Sequence, residues 1–142
     1  MYSSIDDLKK IIPEQKLIQL TDDENLGTIN QDRITEAIKD ADSEIDTYCE
    51  KLYEVPFSPV PQIIKKLSVD ITAFNAYSRR PEVVEIPETI NARYVNAISL
   101  LRRIADGTVS IGNLQQSAPE DSKGEVLTAG GQVFTRDSLK GF

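Results

Sequence analysis

Residues 21–34, TDDENLGTINQDRI, have the outline of a calcium loop: acidic residues first, a glycine in the middle, an isoleucine two residues later, and helix-forming sequence on both sides. An EF-hand loop needs oxygen ligands at its early odd positions, glycine at the sixth and a bidentate glutamate at the twelfth. With Gly27 as the sixth residue, Asp22 falls first and Glu24 third, but Leu26 falls fifth and Arg33 twelfth. Leucine offers no side-chain oxygen, and a guanidinium brings positive charge where the cation needs anionic oxygens. The glycine pins the register, so no shift repairs the ligand set. The stretch reads instead as a turn: Asn30 caps the next helix, Gly27 reverses the chain, and Asp22 and Asp23 are solvated loop charges.

The other residues capable of chemistry fare no better. Cys49 is the single cysteine; it lies four residues after Ile45 on an apolar stripe, and its pattern is that of a buried thiol rather than an activated nucleophile. Asp40, Asp42, Glu44, Asp46 and Glu50 could be imagined as a metal cluster, yet helical spacing spreads them around a solvated face. The pairs Arg79–Arg80 and Arg102–Arg103 are expected to bond nearby carboxylates rather than phosphates. The segment GTVSIGN lacks the Lys-Ser/Thr that makes a glycine-rich phosphate loop specific. No catalytic constellation survives, so the chain is not expected to be an enzyme, and no cofactor or metal is expected.

Composition narrows the classes further. Among 142 residues there is no histidine and no tryptophan, which removes the usual general base at neutral pH and the commonest nitrogen ligand for zinc. A formal charge of −7 argues against wrapping nucleic acid, whose phosphates are held by clustered Lys and Arg. No apolar run is long enough to span a bilayer, and MYSSIDDLKKII is not the pattern of a signal peptide. A single cysteine allows no internal disulfide and fits a reducing compartment. The length suits one domain of ordinary size.

The elements that must position these residues are helices. Ser4 and Asp7 make an S-x-x-D capping pattern ahead of Ile5, Leu8, Ile11 and Ile12. Pro13 ends that turn and opens PEQKLIQLT as a first-turn proline. The clearest stripe is Ile34, Ala37, Ile38, Ala41, Ile45, Tyr48, Cys49 and Leu52, through QDRITEAIKDADSEIDTYCEKLY. The proline-rich link VPFSPVP should be extended. A third helix carries Ile64, Leu67, Ile71, Phe74 and Tyr77 and ends near Ser78. A fourth runs from about Glu88 to Asp106 with Ile90, Tyr94, Ala97, Ile98, Leu101, Ile104 and Ala105 inward, stopped by Gly107. The fold class is therefore all-α: a small bundle of about four helices over residues 1–111, followed by an extended C-terminal arm, residues 112–142, for docking a partner.

The arm is rich in Ser, Gly, Gln and acidic residues and should be mobile alone. EVLTAGGQVFT could form a short β-hairpin, because AGG permits positive backbone angles. The ending FTRDSLKGF returns large apolar groups: Phe134, Leu139 and Phe142 are the expected partner anchors, with Arg136 as a polar clamp.

The order of segments resembles a family of small proteins of Mu-like tailed phages and prophages. The features that carry the likeness are the opening MY with DL at Asp7–Leu8, LIQLTD before Gly27 and Ile29, and Ala37, Asp40, Ala41, Glu44, Ile45, Asp46 and Tyr48. The link ending VP follows, then LSVDI, then Ile90, Arg93, Tyr94, Ala97, Ile98, Leu101, Ile104, Gly107, Ser110 and Gly112. VFTRDSLKGF matches the family's ending. The likeness implies a structural virion protein: a head–tail connector, or adaptor, in the phage neck. Such subunits form a homo-oligomeric ring, here of about twelve copies, beneath the portal protein and join it to a downstream neck or tail protein. DNA would pass through the lumen without sequence-specific binding, and no membrane is involved. The protein would be made in the bacterial host cytoplasm and end in the virion neck. The reading from another class is a soluble, non-enzymatic regulatory module that binds one partner through the same tail. The two part on whether the chain is found in purified particles.

Overall fold

The computed structural model describes residues 1–112, and every element in them is a helix: α1 Ile5–Lys9, α2 Glu14–Thr21, α3 Gln31–Cys49, α4 Gln62–Ser78 and α5 Glu88–Ala105. The all-α bundle read from the sequence is the fold. Its starts are set by local chemistry. Ser4 and Asp7 form a reciprocal capping box, and Asn30 Oδ1 accepts the Arg33 amide at 3.1 Å to cap α3. Pro13, Pro61 and Pro87 stand at the N-cap positions of α2, α4 and α5 with extended backbone. They sit one place earlier than the first-turn position expected for Pro13. Gly107, at φ +85°, ends α5 in the left-handed region that glycine enters without strain.

The buried residues fall into two clusters. One joins Ala41, Ile45 and Cys49 of α3 to Ile64, Leu67 and Ile71 of α4 and to Ala97, Ile98, Leu101 and Ile104 of α5, with Tyr2 and Ile111. The other joins Leu8, Ile12, Leu17 and Leu20 to Ile34 and Ile38, to Ala73, Ala76 and Tyr77, and to Ile90. The end of α3 thus meets the start of α4, and the start of α4 meets the end of α5. Successive long helices are antiparallel, which leaves α3 and α5 parallel. α1 and α2 cover the second cluster.

α4 is the central helix. The single stripe expected for it understates its burial, because Ser68, Asp70 and Thr72 are buried along with the apolar positions. α3 is shorter than its apolar pattern suggested. It stops at Cys49, and Leu52, beyond that end, is 51% exposed rather than part of the core. In the link to α4, cis peptide bonds precede Pro56 and Pro59, where an extended segment was expected. Phe57 of that link packs on Tyr2 and Tyr53, with ring centroids 5.9 and 6.1 Å away.

Candidate functional site

The acids of the turn after α2 are engaged by donors of the chain itself. Both carboxylate oxygens of Asp22 are used: they accept the amides of Leu26 at 2.8 Å and Gly27 at 2.6 Å. Asn25 and Gly27 both turn through positive φ. Arg33 forks onto both oxygens of Glu24 at 2.8 Å and also reaches the Thr21 carbonyl. Asp23 meets three guanidiniums, those of Arg79 at 2.7 Å, Arg80 at 3.0 Å and Arg33 at 3.6 Å. The residue at the place of the twelfth calcium ligand therefore supplies, from the chain itself, the positive charge an ion would bring. Arg79 holds the Asp23 carboxyl below the usual range, and Arg33 does the same for Glu24. Asp22 and Asp23 are thus not simply solvated charges: one organises the turn and the other ties it to the end of α4.

The acids on α3 divide by face. Asp42 accepts the backbone amide of Tyr2 and the hydroxyl of Ser68, each at 2.8 Å. Since Ser68 spends its one proton there, Ser3 must be the donor in the 2.7 Å contact between their hydroxyls. The phenol of Tyr2 donates to Asp46 and accepts the Phe57 amide at 3.0 Å. Burial first, and then the Asp46 carboxylate, push this phenol well above the ordinary tyrosine range. The expected solvated face is therefore wrong for Asp42 and Asp46, which fasten the N-terminus to α3, α4 and the link. Among the described residues, Asp40, Glu44 and Glu50 take part in no ion pair, and no group of three metal-ligating side chains is present.

Nothing in the sequence pattern marks Asp70 as a buried charge. Its side chain is 1% exposed within α4 and is paired with Lys66 at 2.7 Å and Arg93 at 3.1 Å. Beside it, Phe74 and Tyr94 stack with centroids 4.0 Å apart. Cys49 is fully buried, and desolvation with the nearby Asp46 charge pushes its thiol up to about 11. It is a core residue, as its spacing predicts. Arg79 and Arg80 bond carboxylates as expected; Arg102 and Arg103 make no ion pair among the described residues. Phe134, Arg136, Leu139 and Phe142, the expected partner contacts, lie outside the described residues, as does the expected hairpin. The division at residue 112 falls at the last described residue.

Several of the residues that carried the resemblance fasten the fold: Tyr2 to Asp46, Asp7 to Ser4, Asp22 to its turn, Asp70 to Arg93. Residues 2–129 match the sequence model of the family described as Bacteriophage Mu, Gp36. A relative, the Mu-like prophage FluMu protein gp36 of Haemophilus influenzae (strain ATCC 51907 / DSM 11121 / KW20 / Rd), is 26% identical over 118 residues, covering 81% of this chain and 79% of that protein. The chain belongs to the Bacteriophage Mu Gp36 family.

Proposed function

We propose that this member of the Gp36 family is a head–tail connector subunit, a structural protein of the virion neck. In this reading about a dozen copies close into a ring beneath the portal and join it to the next tail component. The observation that carries the reading is how the polar side chains are used. Apart from Glu44, which is half-buried with no ion pair among the described residues, the buried and half-buried acids of the described bundle are spent on holding helices and loops together, and a rigid body of fixed shape is what a ring subunit requires. Family membership supports a phage protein, and the connector role is the finer step taken here. No helix among the described residues is long and apolar enough to cross a membrane, which fits a particle component. An arm of residues 112–142, anchored by Phe134, Leu139 and Phe142 with Arg136, would grip the neighbouring protein. DNA would pass the acidic ring without being held.

The test is complementation of a phage or prophage lacking this chain. Loss of the protein should leave filled heads and complete tails that do not join, and the full chain should restore tailed particles. Normal joining in its absence would refute the proposal. A chain ending at residue 112 should fold yet fail to join heads to tails; if it restores joining, the arm has no part in it.

A further inference from the structure

We propose that the outer face of α5 docks against the acidic outer face of α3 in the next copy of this chain; the inference deepens the ring reading and rests on it. The two helices differ sharply in charge. α5, Glu88–Ala105, carries three arginines against one acid, Glu88 at its first residue, with Asp106 at its C-cap, in a chain with 23 acidic and 16 basic residues. α3 carries Asp32, Glu36, Asp40, Asp42, Glu44 and Asp46, with Glu50 at its C-cap, against Arg33 and Lys39. Some of these charges are already used inside the subunit: Arg93 by Asp70, Asp42 and Asp46 by Tyr2, and Arg33 by Glu24.

What is left over is complementary. On α5 the exposed side runs through Ala92, Val95, Asn96 and Ser99 to Arg102 and Arg103. Neither of those arginines has an ion pair among the described residues, although Arg103 lies near enough to Asp106 at the C-cap to help lower its carboxyl, and Val95 is 55% exposed. On α3 the exposed side runs through Glu36, Asp40, Ser43, Thr47 and Glu50, again with no ion pair among the described residues. The Thr47 hydroxyl is turned onto the Ser43 carbonyl at 2.9 Å, so this part of the stripe is small and smooth. Small residues in the middle of both stripes allow close approach, while the charges set partner and register. Opposite charge on two different faces of one chain favours head-to-tail contacts, the kind that close into rings.

Symmetry fixes the direction. α3 and α5 run parallel in the subunit with their C-terminal halves in one core cluster. Successive copies in a ring of about twelve differ by a rotation of about 30°, which keeps the helices across the joint within about that angle of parallel, and the proposed interface sets the bundle along the ring axis so that the copies are level. Ser99 then comes level with Ser43, and Arg102 and Arg103 with Thr47 and Glu50. Toward the other end, the crossing angle of packed helices separates Glu88 from Asp32.

The test is cross-linking of the full-length chain carrying Ser43→Cys and Ser99→Cys, with a short bismaleimide under native conditions. It is run on the concentrated protein and on purified particles, with unreacted reagent quenched before denaturation. Cys49 is buried and its thiol protonated, so it does not compete. The double variant should give a ladder of three or more linked chains, and each single variant should stay unlinked. Adding Arg102→Glu and Arg103→Glu should cut the ladder by about tenfold, and adding Glu50→Arg as well should restore it. No ladder in either sample, or one indifferent to the charge reversals, overturns the interface. So does retention on DNA that depends on the two arginines without any ladder, which would make α5 a phosphate-facing surface. If the ladder is absent while about a dozen copies are counted per particle, this face is wrong and the ring stands. A ladder from a chain that is missing from particles leaves the interface and removes the neck role.

Discussion

Asp70 shows how a charge can be held inside a helical bundle, and which of its contacts matter most. The carboxylate is buried, whereas the side chains of Lys66 and Arg93 are 61% and 43% exposed. Removing Asp70 frees two cations that already reach water. Removing both cations strands a carboxylate in the core, the costly direction. Asp70→Asn should therefore cost about 1–2 kcal/mol, and the double variant Lys66→Ala/Arg93→Ala about 3 kcal/mol or more, as read from urea unfolding. Equal costs would mean that the site is better solvated than its burial indicates. Cys49 gives a second check at this scale. A thiol pushed up to about 11 and fully buried should not react with iodoacetamide at pH 8 in the native protein, and should react fully in denaturant. The sequence showed part of this. Cys49 was readable as core because a helical stripe is local, and so was the pairing of Arg79 and Arg80 with carboxylates. Tyr2 with Asp46 and Asp70 with Arg93 were not, because each joins residues far apart in the chain and periodicity carries no information on which acid meets which base.

Element boundaries were readable where capping chemistry sets them. Asn30 at the start of α3 and Gly107 after α5 stand where their residue types predict. The end of α3 was overrun because Leu52 keeps the helical spacing, and spacing cannot report that the helix has already ended. Gly107 supplies a clean test of the capping argument. A Cβ built there meets only the Leu52 Cδ1 at 3.7 Å, an ordinary contact, so Gly107→Ala should lose only what the left-handed backbone costs. That is about 1 kcal/mol in urea unfolding, with Gly107→Asn losing less. A loss of several kcal/mol would point to a crowded site instead. The turn after α2 follows similar logic. Its fifth and twelfth positions exclude calcium by residue type, but its true partners, Arg79 and Arg80, arrive from the far end of α4. For that reason the turn at Gly27 and the Asn30 cap were readable while the ionic fastening was not.

For the whole molecule, the shifted groups bracket a stability plateau. Asp7 is held below the usual carboxylate range: burial alone would raise it, but the Ser4 hydroxyl and amide and then Lys65 outweigh that. Asp23, Glu24 and Asp106 are lowered by Arg79, Arg33 and the Thr108 hydrogen bond. Their contribution is complete above the ordinary carboxylate range, about pH 4, and is lost as pH falls through the lowered values. On the alkaline side, burial raises Cys49, Tyr2, Tyr77 and Tyr94, so the unfolded chain ionises first and stability falls as pH rises from about 9. Glu44, raised by burial, works weakly against folding above about pH 4.5. Thermal unfolding across pH should therefore show a broad maximum between about pH 5 and 9; a steady rise through pH 10 would contradict the burial of these groups.

The proposed role rests on the chain being part of the particle. The most direct measurement is its copy number in purified intact particles, by quantitative mass spectrometry against labelled peptides of the described bundle. The connector reading predicts about a dozen copies per particle, the number for one closed ring. Absence from particles, with the chain abundant in infected cells, would contradict it.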